Sequence, residues 1–470
     1  MTLPELLYAL TLAGIGGFLS FLVAPTRRDA IGVVIFYQFS YWFRAIIVVL
    51  NHVLNFFPQK YMSDFSIGLM DQPGGLFALF TGVNTFSTAN ITAMKFFLEA
   101  LVNLPAVRFF EDSTVMLNYT NSFVGAVAGL VVFGYMRRLF NERIGTMGML
   151  LASAYPAALN FSFFSLRDIF IYTFLLINIF SFAWIMLRRD HRFLNVMIYG
   201  ASFLCATILR VSFLIFILVL PGWFLFLWIM RNVGSVRHLY ERMFLSVVAA
   251  LILFITASVV TLGAYFVVLH QVGITSLVGP EVLLQDYVSA RAGRGTGISQ
   301  TMSAADAQGT FSMYVPLSTF NHMPFVARVA LQLVAFIIIP LPWQLNDASR
   351  ALALTDTIFV LCCMWWSWRL QRMLRGAARD GPSLPPVLQQ YSLPTLRRLG
   401  FALLIAFVMS WFGFGVLVSD SGNAFRMRLS VEPFIIFASG IYAAQAMRWI
   451  EVGLKRAIAL PGAVKLAPGE

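Results

Sequence analysis

Uninterrupted apolar runs of membrane-spanning length, repeated along the chain and separated by short basic turns, constrain this sequence more than anything else in it. The stretch 168–187 carries no charge after its first residue. Wound as a helix, about 20 such residues match a hydrocarbon core roughly 30 Å thick, and only helices or closed barrels satisfy every backbone group there. The runs are continuous rather than alternating, which points to helices and not to barrel strands. Spans are predicted at 4–24, 31–54, 115–135, 145–163, 168–187, 193–209, 211–230, 244–268, 326–343, 351–368, 400–418 and 431–447. The expected fold is all-α: a polytopic integral membrane protein of about 11–13 transmembrane helices, with interfacial helices in its outer loops.

Composition agrees: 59% of residues are hydrophobic and 11% charged, against roughly half and a quarter in soluble domains. Cys205, Cys362 and Cys363 all fall inside apolar runs and have no metal or disulfide spacing. The first run lacks a basic leader and a small-residue cleavage pattern, so it is expected to be a retained span.

A net charge of +12 invites a nucleic-acid reading, but the cations sit in turns between the runs. They cluster at Arg27–Arg28, at Arg137, Arg138 and Arg143, at Arg188, Arg189 and Arg192, and at Arg231, Arg237 and Arg242. Further clusters run from Arg369 to Arg398 and from Arg448 to Arg456. Excess positive charge marks cytoplasmic loops, so these residues are assigned to topology and to anionic lipid, not to nucleic acid. The N-terminus is then outside, the C-terminus cytoplasmic, and 55–114, 269–325 and 419–430 face outward. Segment 326–343 breaks this scheme, because a full span there would turn the basic 369–398 stretch outward. Its ending, Pro340-Leu341-Pro342-Trp343, suits a re-entrant or interfacial helix.

In the first outer loop Ile91, Met94, Leu98, Leu101 and Val102 recur at helical spacing beside Lys95 and Glu99, an amphipathic helix expected to lie in the membrane surface. The same loop holds Asp64 and Asp71. A carboxylate there could take a proton from a sugar hydroxyl or bind a divalent cation at a diphosphate, and the plain alternative is a pair of solvated loop aspartates. At Ser165-Leu166-Arg167-Asp168 the arginine offers a planar fork to a phosphate, while the aspartate also suits a helix N-terminus. Arg210, Arg426 and Arg428 lie on the side where positive charge is scarce, so either an anionic ligand or a carboxylate partner is required. Arg44, mid-span, is expected to be paired inside the bundle. The 269–325 loop is long enough for a lid over a site. Its histidines, His270 and His322, form no metal motif, and no P-loop, dinucleotide fingerprint or nucleophile elbow occurs. No motif demands a cofactor.

Taken in order, these features resemble a known family. A span, an outer loop with an acidic residue and surface helices, and a span returning to a basic turn are similar to the opening module of bacterial glycosyltransferases of the GT-C superfamily. Tyr155-Pro156 within a span, the Ser165–Asp168 corner, Arg210, and Arg426-Met427-Arg428 before the last span with Pro433 extend the likeness. They resemble polysaccharide-cluster membrane proteins related to protein mannosyltransferases and lipid A sugar transferases. The likeness covers 31–230 and 400–447 of a single integral membrane domain, 1–470, with 269–325 as an outer loop and 326–447 as C-terminal helices. It implies a polyprenyl-phosphate sugar donor and an outer-loop aspartate as base, which falls on Asp64 first and Asp71 second. An extra span before the module, and a first loop with no adjacent acidic pair at its start, depart from the pattern.

The expected function is a sugar transferase at the outer face of a bacterial inner membrane, passing a sugar from polyprenyl phosphate to a lipid-linked glycan or surface acceptor. Arg167, Arg210, Arg426 and Arg428 would bind the phosphate. Two rivals share the sequence features: a repeat-unit polymerase or ligase relying on outer arginines, and a lipid-linked glycan flippase. No inverted repeat of the kind many transporters carry is present.

Overall fold

The computed structural model describes residues 2–24, 26–54, 114–163, 168–188, 190–209, 324–338, 348–379, 385–416 and 427–459. These form helices α1 (Leu3–Val23), α2 (Arg27–Leu54), α3 (Thr114–Leu139), α4 (Glu142–Ala154), α5 (Pro156–Ser162) and α6 (Asp168–Leu187). Then follow α7 (Arg192–Leu209), α8 (Phe325–Ile338), α9 (Ala348–Arg379), α10 (Pro386–Gln389), α11 (Leu393–Val416) and α12 (Pro433–Ala459). Among the described residues there is no strand, and six helices are long and apolar enough to cross a membrane. The protein is a polytopic all-α membrane protein. The predicted spans 211–230 and 244–268, the amphipathic 91–104 segment and the 269–325 loop lie outside the described residues.

Local chemistry sets the helix ends. Thr2 and Glu5 form a capping box at the start of α1, with Pro4 in its first turn, where a missing N–H costs nothing. The Asn141 side chain accepts from Ile144 N at 3.0 Å, which starts α4 two residues after α3 ends.

Side-chain pairs fix the helix directions. Tyr41, Tyr37 and Gln38 of α2 donate to the carbonyls of Ala9, Leu12 and Ala13, so α1 and α2 are antiparallel. Tyr8 meets Thr120, and Arg137 Nη1 donates to Val23 O, so α1 and α3 are parallel. On the other side Arg428 pairs with Asp356, Ser439 with Ser367 and Tyr442 with Arg369, a constant offset of 72–73 residues that makes α9 and α12 parallel. Small residues set the closest approaches, as expected where helices associate by packing in lipid. A side chain on Gly129 would strike the Ser153 hydroxyl, and Gly440 of α12 lies over Gly148 of α4. Outward, Ile31, Ile35, Phe39, Phe43, Ile46 and Leu50 form one exposed stripe along α2, a lipid-facing surface.

Gly16 shows how tight the α1–α2 seam is. A Cβ there would run into the ring of Tyr37, which is buried, stacks on Tyr41 and donates to Leu12 O. Gly16→Val is therefore expected to lower stability by about 1–3 kcal/mol, the usual cost of overpacking a pinned contact. The check is the thermal unfolding midpoint in detergent, with Gly14→Val as control, since Gly14 faces open space.

The described basic clusters gather at one end of the bundle. Arg188 donates to Arg138 O and to the Tyr391 hydroxyl, Gln390 donates to Leu139 O, and Arg143 pairs with Glu451. One span departs from expectation. The 145–163 run is two helices, α4 and α5, broken at Tyr155-Pro156. In the 326–343 run, α8 covers Phe325–Ile338, and 339–343 lie outside the described residues. Its later turns lie away from the basic end: Leu333 O accepts from Trp411 Nε1 and Phe336 O from Arg428. From Asp356, paired with Arg428, α9 descends to the basic end, where Met373 lines a cleft with Arg143 and Arg448, so the described part of the 369–398 stretch lies at that end.

Candidate functional site at a broken helix

The break between α4 and α5 follows from one residue. Proline has no N–H and its ring crowds the carbonyl four residues earlier, so Pro156 cannot continue α4. The residue before it is pushed toward extended geometry, and Tyr155 takes φ −57° and ψ 117°. In an unbroken helix Ala152 O and Ser153 O would accept from residues 156 and 157. The break orphans both carbonyls and leaves Ala157 N–H without its helical acceptor.

Three side chains from three other helices satisfy these groups. The Tyr172 hydroxyl of α6 donates to Ala152 O at 3.0 Å. Arg44 Nη2 of α2 donates to Ser153 O at 2.6 Å. Ala157 N donates to Asp356 Oδ1 of α9 at 3.1 Å. An unmatched buried polar group costs about 1–3 kcal/mol, so a break with three of them would be untenable without these partners.

The partners are held in turn. Arg44, 1% exposed, also donates from Nε to the Ser162 hydroxyl at 3.1 Å and from Nη1 to Ser40 O at 2.9 Å and the Ser40 hydroxyl. All its partners are neutral oxygens, so the expectation of a paired Arg44 holds for location and not for charge. Asp356, fully buried, accepts through Oδ2 from Arg428 Nη1 at 3.0 Å. Arg428 Nη1 also donates to Thr357 Oγ1 at 2.9 Å, and its Nε donates to Phe336 O at 2.7 Å. The network thus ties α2, α4, α5, α6, α8 and α9 to the turn that precedes α12. None of its charged atoms is open to a ligand; its work is to fix where chain segments emerge. Arg44 grips the α4–α5 unit on both sides, at Ser153 and at Ser162, just before the chain leaves toward Ser165–Asp168.

Of the residues singled out in the sequence, Arg428 is described, and it is buried against a carboxylate inside the bundle rather than presented outward. Asp64, Asp71, Arg167, Arg210 and Arg426 lie outside the described residues. The described residues that flank their segments are Leu54 and Thr114, Phe163 and Asp168, Leu209, and Met427. All of these lie at the bundle end opposite the described basic clusters: α2, α3, α6 and α7 carry basic residues at or next to their other ends, α5 continues from α4, which starts beside Arg143, and Met427 precedes α12, which ends past Arg448. Asp168 opens α6 and is buried.

Sequence reasoning passed over Asp356 and Glu432. A lone carboxylate inside the 351–368 apolar run was the available signal for Asp356, since a charge in a span is a functional candidate by default. Glu432, one turn after Arg428, is buried with both carboxylate oxygens accepting no hydrogen bond. Among the described residues no group of three or more His, Cys, Asp or Glu is placed to hold a metal.

No family model matches the chain, and no curated protein matches it significantly. Among solved structures, the archaeal oligosaccharyltransferase AglB from Archaeoglobus fulgidus, in complex with an inhibitory peptide and a dolichol-phosphate, aligns at 15% identity with a TM-score of 0.38. The alignment covers 100% of this chain and 53% of that one, so the chain spans about half the length of the enzyme.

Proposed function

We propose that this protein is a GT-C-type membrane glycosyltransferase, working as a single integral membrane domain in a bacterial inner membrane. It takes a sugar from a polyprenyl-phosphate carrier at the outer face and passes it to a lipid-linked glycan or surface acceptor. The observation that supports this reading is convergence: Leu54, Thr114, Phe163, Asp168, Leu209 and Met427, which flank the segments carrying the candidate residues, lie at one end of the bundle, and the described basic clusters lie at the other. By the positive-inside rule the basic end is cytoplasmic, with the N-terminus outside and the C-terminus inside.

In the proposed reaction Asp64, with Asp71 as the second candidate, takes the proton of the acceptor hydroxyl. The hydroxyl oxygen attacks the anomeric carbon as the bond to the phosphate oxygen breaks, with inversion. Negative charge grows on the departing phosphate, where fixed cations help most, and Arg167, Arg210 and Arg426 are its receptors. Arg428, engaged with Asp356, holds the turn that carries Arg426 into place. Asp64 and Asp71 are also the candidate ligands for a divalent cation at the phosphate; loss of activity on chelation, restored by Mg²⁺, is the corresponding observation.

The test is surface-polysaccharide analysis in a deletion strain complemented at matched expression with wild type, Asp64→Asn or Arg426→Ala. The transferase reading expects Asp64→Asn to behave as the deletion, with one sugar missing from the product. Full complementation by Asp64→Asn, with Arg426→Ala collapsing long chains to single repeats, would make the protein a repeat-unit polymerase. Intact lipid-linked glycan stranded on the cytoplasmic side would make it a flippase.

A further inference from the structure

At the basic end α4, α9, α10 and α12 leave a cleft of about 240 Å³. Its floor is apolar, with Met373, Leu388 and Ile441, and its polar wall carries Arg143, Arg448 and Gln445. Glu451 pairs with Arg143 at 2.9 Å, so two guanidinium groups face one carboxylate and the cleft keeps an excess of positive charge.

Its depth in the membrane is marked independently. Trp365 and Trp368 of α9 and Trp449 of α12 are each about half exposed, and Arg369 and Arg372 lie over the first two rings at 5.6 and 5.5 Å. Half-exposed tryptophans beside arginines form the aromatic belt of a membrane interface. Arg448 adjoins Trp449 in sequence, which puts the cleft at head-group level. Met447 and Ile450, which flank Arg448 and Trp449 in sequence, are 54% and 62% exposed, so this part of α12 faces lipid and not only water. The volume falls short of the roughly 300–1,000 Å³ of pockets that enclose drug-sized ligands. It has room for a head group, with acyl chains left outside.

We propose that this cleft binds the phosphate of an anionic phospholipid from the leaflet on the basic side, with Arg143 and Arg448 as its cationic contacts and Gln445 as a neutral donor. The site is separate from the proposed transfer site and stands whether or not the protein moves a sugar.

The test is native mass spectrometry of the full chain released from detergent with phosphatidylglycerol or phosphatidylcholine added. Wild type is expected to retain phosphatidylglycerol and shed phosphatidylcholine. A cation at a membrane surface contributes about 1 kcal/mol toward an anionic lipid, so Arg448→Gln and Arg143→Gln should each lower retention about fivefold. Met373→Trp, which fills the cleft and leaves every charge in place, should abolish it, while Glu451→Gln should raise it by releasing Arg143. Arg143, Arg448 and Glu451 are surface side chains, so their variants should keep the wild-type unfolding midpoint. Equal retention of the two lipids, or retention unchanged in both Arg448→Gln and Met373→Trp, would overturn the proposal. Displacement of the lipid by millimolar inorganic phosphate would also overturn it, marking a site for a soluble anion.

Discussion

Asp356→Ala is expected to destabilise the protein by about 3–5 kcal/mol, the range for removing one partner of a buried ion pair. Two losses add here. The Arg428 guanidinium stays buried without a counter-charge, and Ala157 N–H at the head of α5 loses its acceptor. Asp356→Asn separates them, because the amide oxygen can still accept from Ala157 N while its NH₂ group cannot offset the charge of Arg428. It should recover only the smaller share, about 1–3 kcal/mol. The double variant Asp356→Leu with Arg428→Met should be far milder than the sum of the single changes, since an apolar pair of similar volume often replaces a buried ion pair at little cost. The measurement is unfolding in one detergent of wild type, Asp356→Leu, Arg428→Met and the double variant, read as a double-mutant cycle, with Asp356→Ala and Asp356→Asn beside them. Additive single effects would mean that the pair is not coupled, and the account of the turn before α12 would fall with it.

Much of the bundle was legible in the sequence because two simple physical quantities dominate there. Apolar length located α1, α2, α3, α6, α7, α9, α11 and α12, with 168–187 matching residue for residue. Charge placement located the basic end, where Arg137, Arg143, Arg188 and Arg448 converge. The shortfalls have a common cause. Apolar length cannot distinguish one span from two helices joined at a satisfied break, so Tyr155-Pro156 was read as lying inside a span. Arg428 was assigned an external anion because its partner lies 72 residues away in sequence, on a helix whose packing against it only the fold reveals. The proposed chemistry rests on residues in the loops, where periodicity carries little information and local composition does not specify position.

Arg44→Met is the variant that separates holding the fold from holding the site. For a cation with only neutral partners, two energies oppose each other. Removing the charge relieves a desolvation penalty of several kcal/mol, while the lost hydrogen bond leaves Ser153 O unmatched at about 1–3 kcal/mol. The net change in stability should therefore be smaller than for Asp356→Ala, because the two energies offset each other. Activity should respond differently. Arg44 ties Ser153 to Ser162 across α5, and from Ser162 the chain runs on to the corner that carries Arg167. A displacement of about 1 Å at a reacting geometry costs on the order of 100-fold in rate, and that loss is expected in kcat with KM little changed. Arg44→Lys keeps the charge, but a single nitrogen cannot reach Ser40, Ser153 and Ser162 together, so it should fall on the side of Met and not of wild type. Sugar transfer by purified protein in lipid, measured beside the unfolding midpoint, decides the matter. A loss of activity that merely tracks a loss of stability would make Arg44 a packing residue. Full activity in Arg44→Lys would show that charge alone suffices there, and that the three-point grip on the broken helix does not set the site.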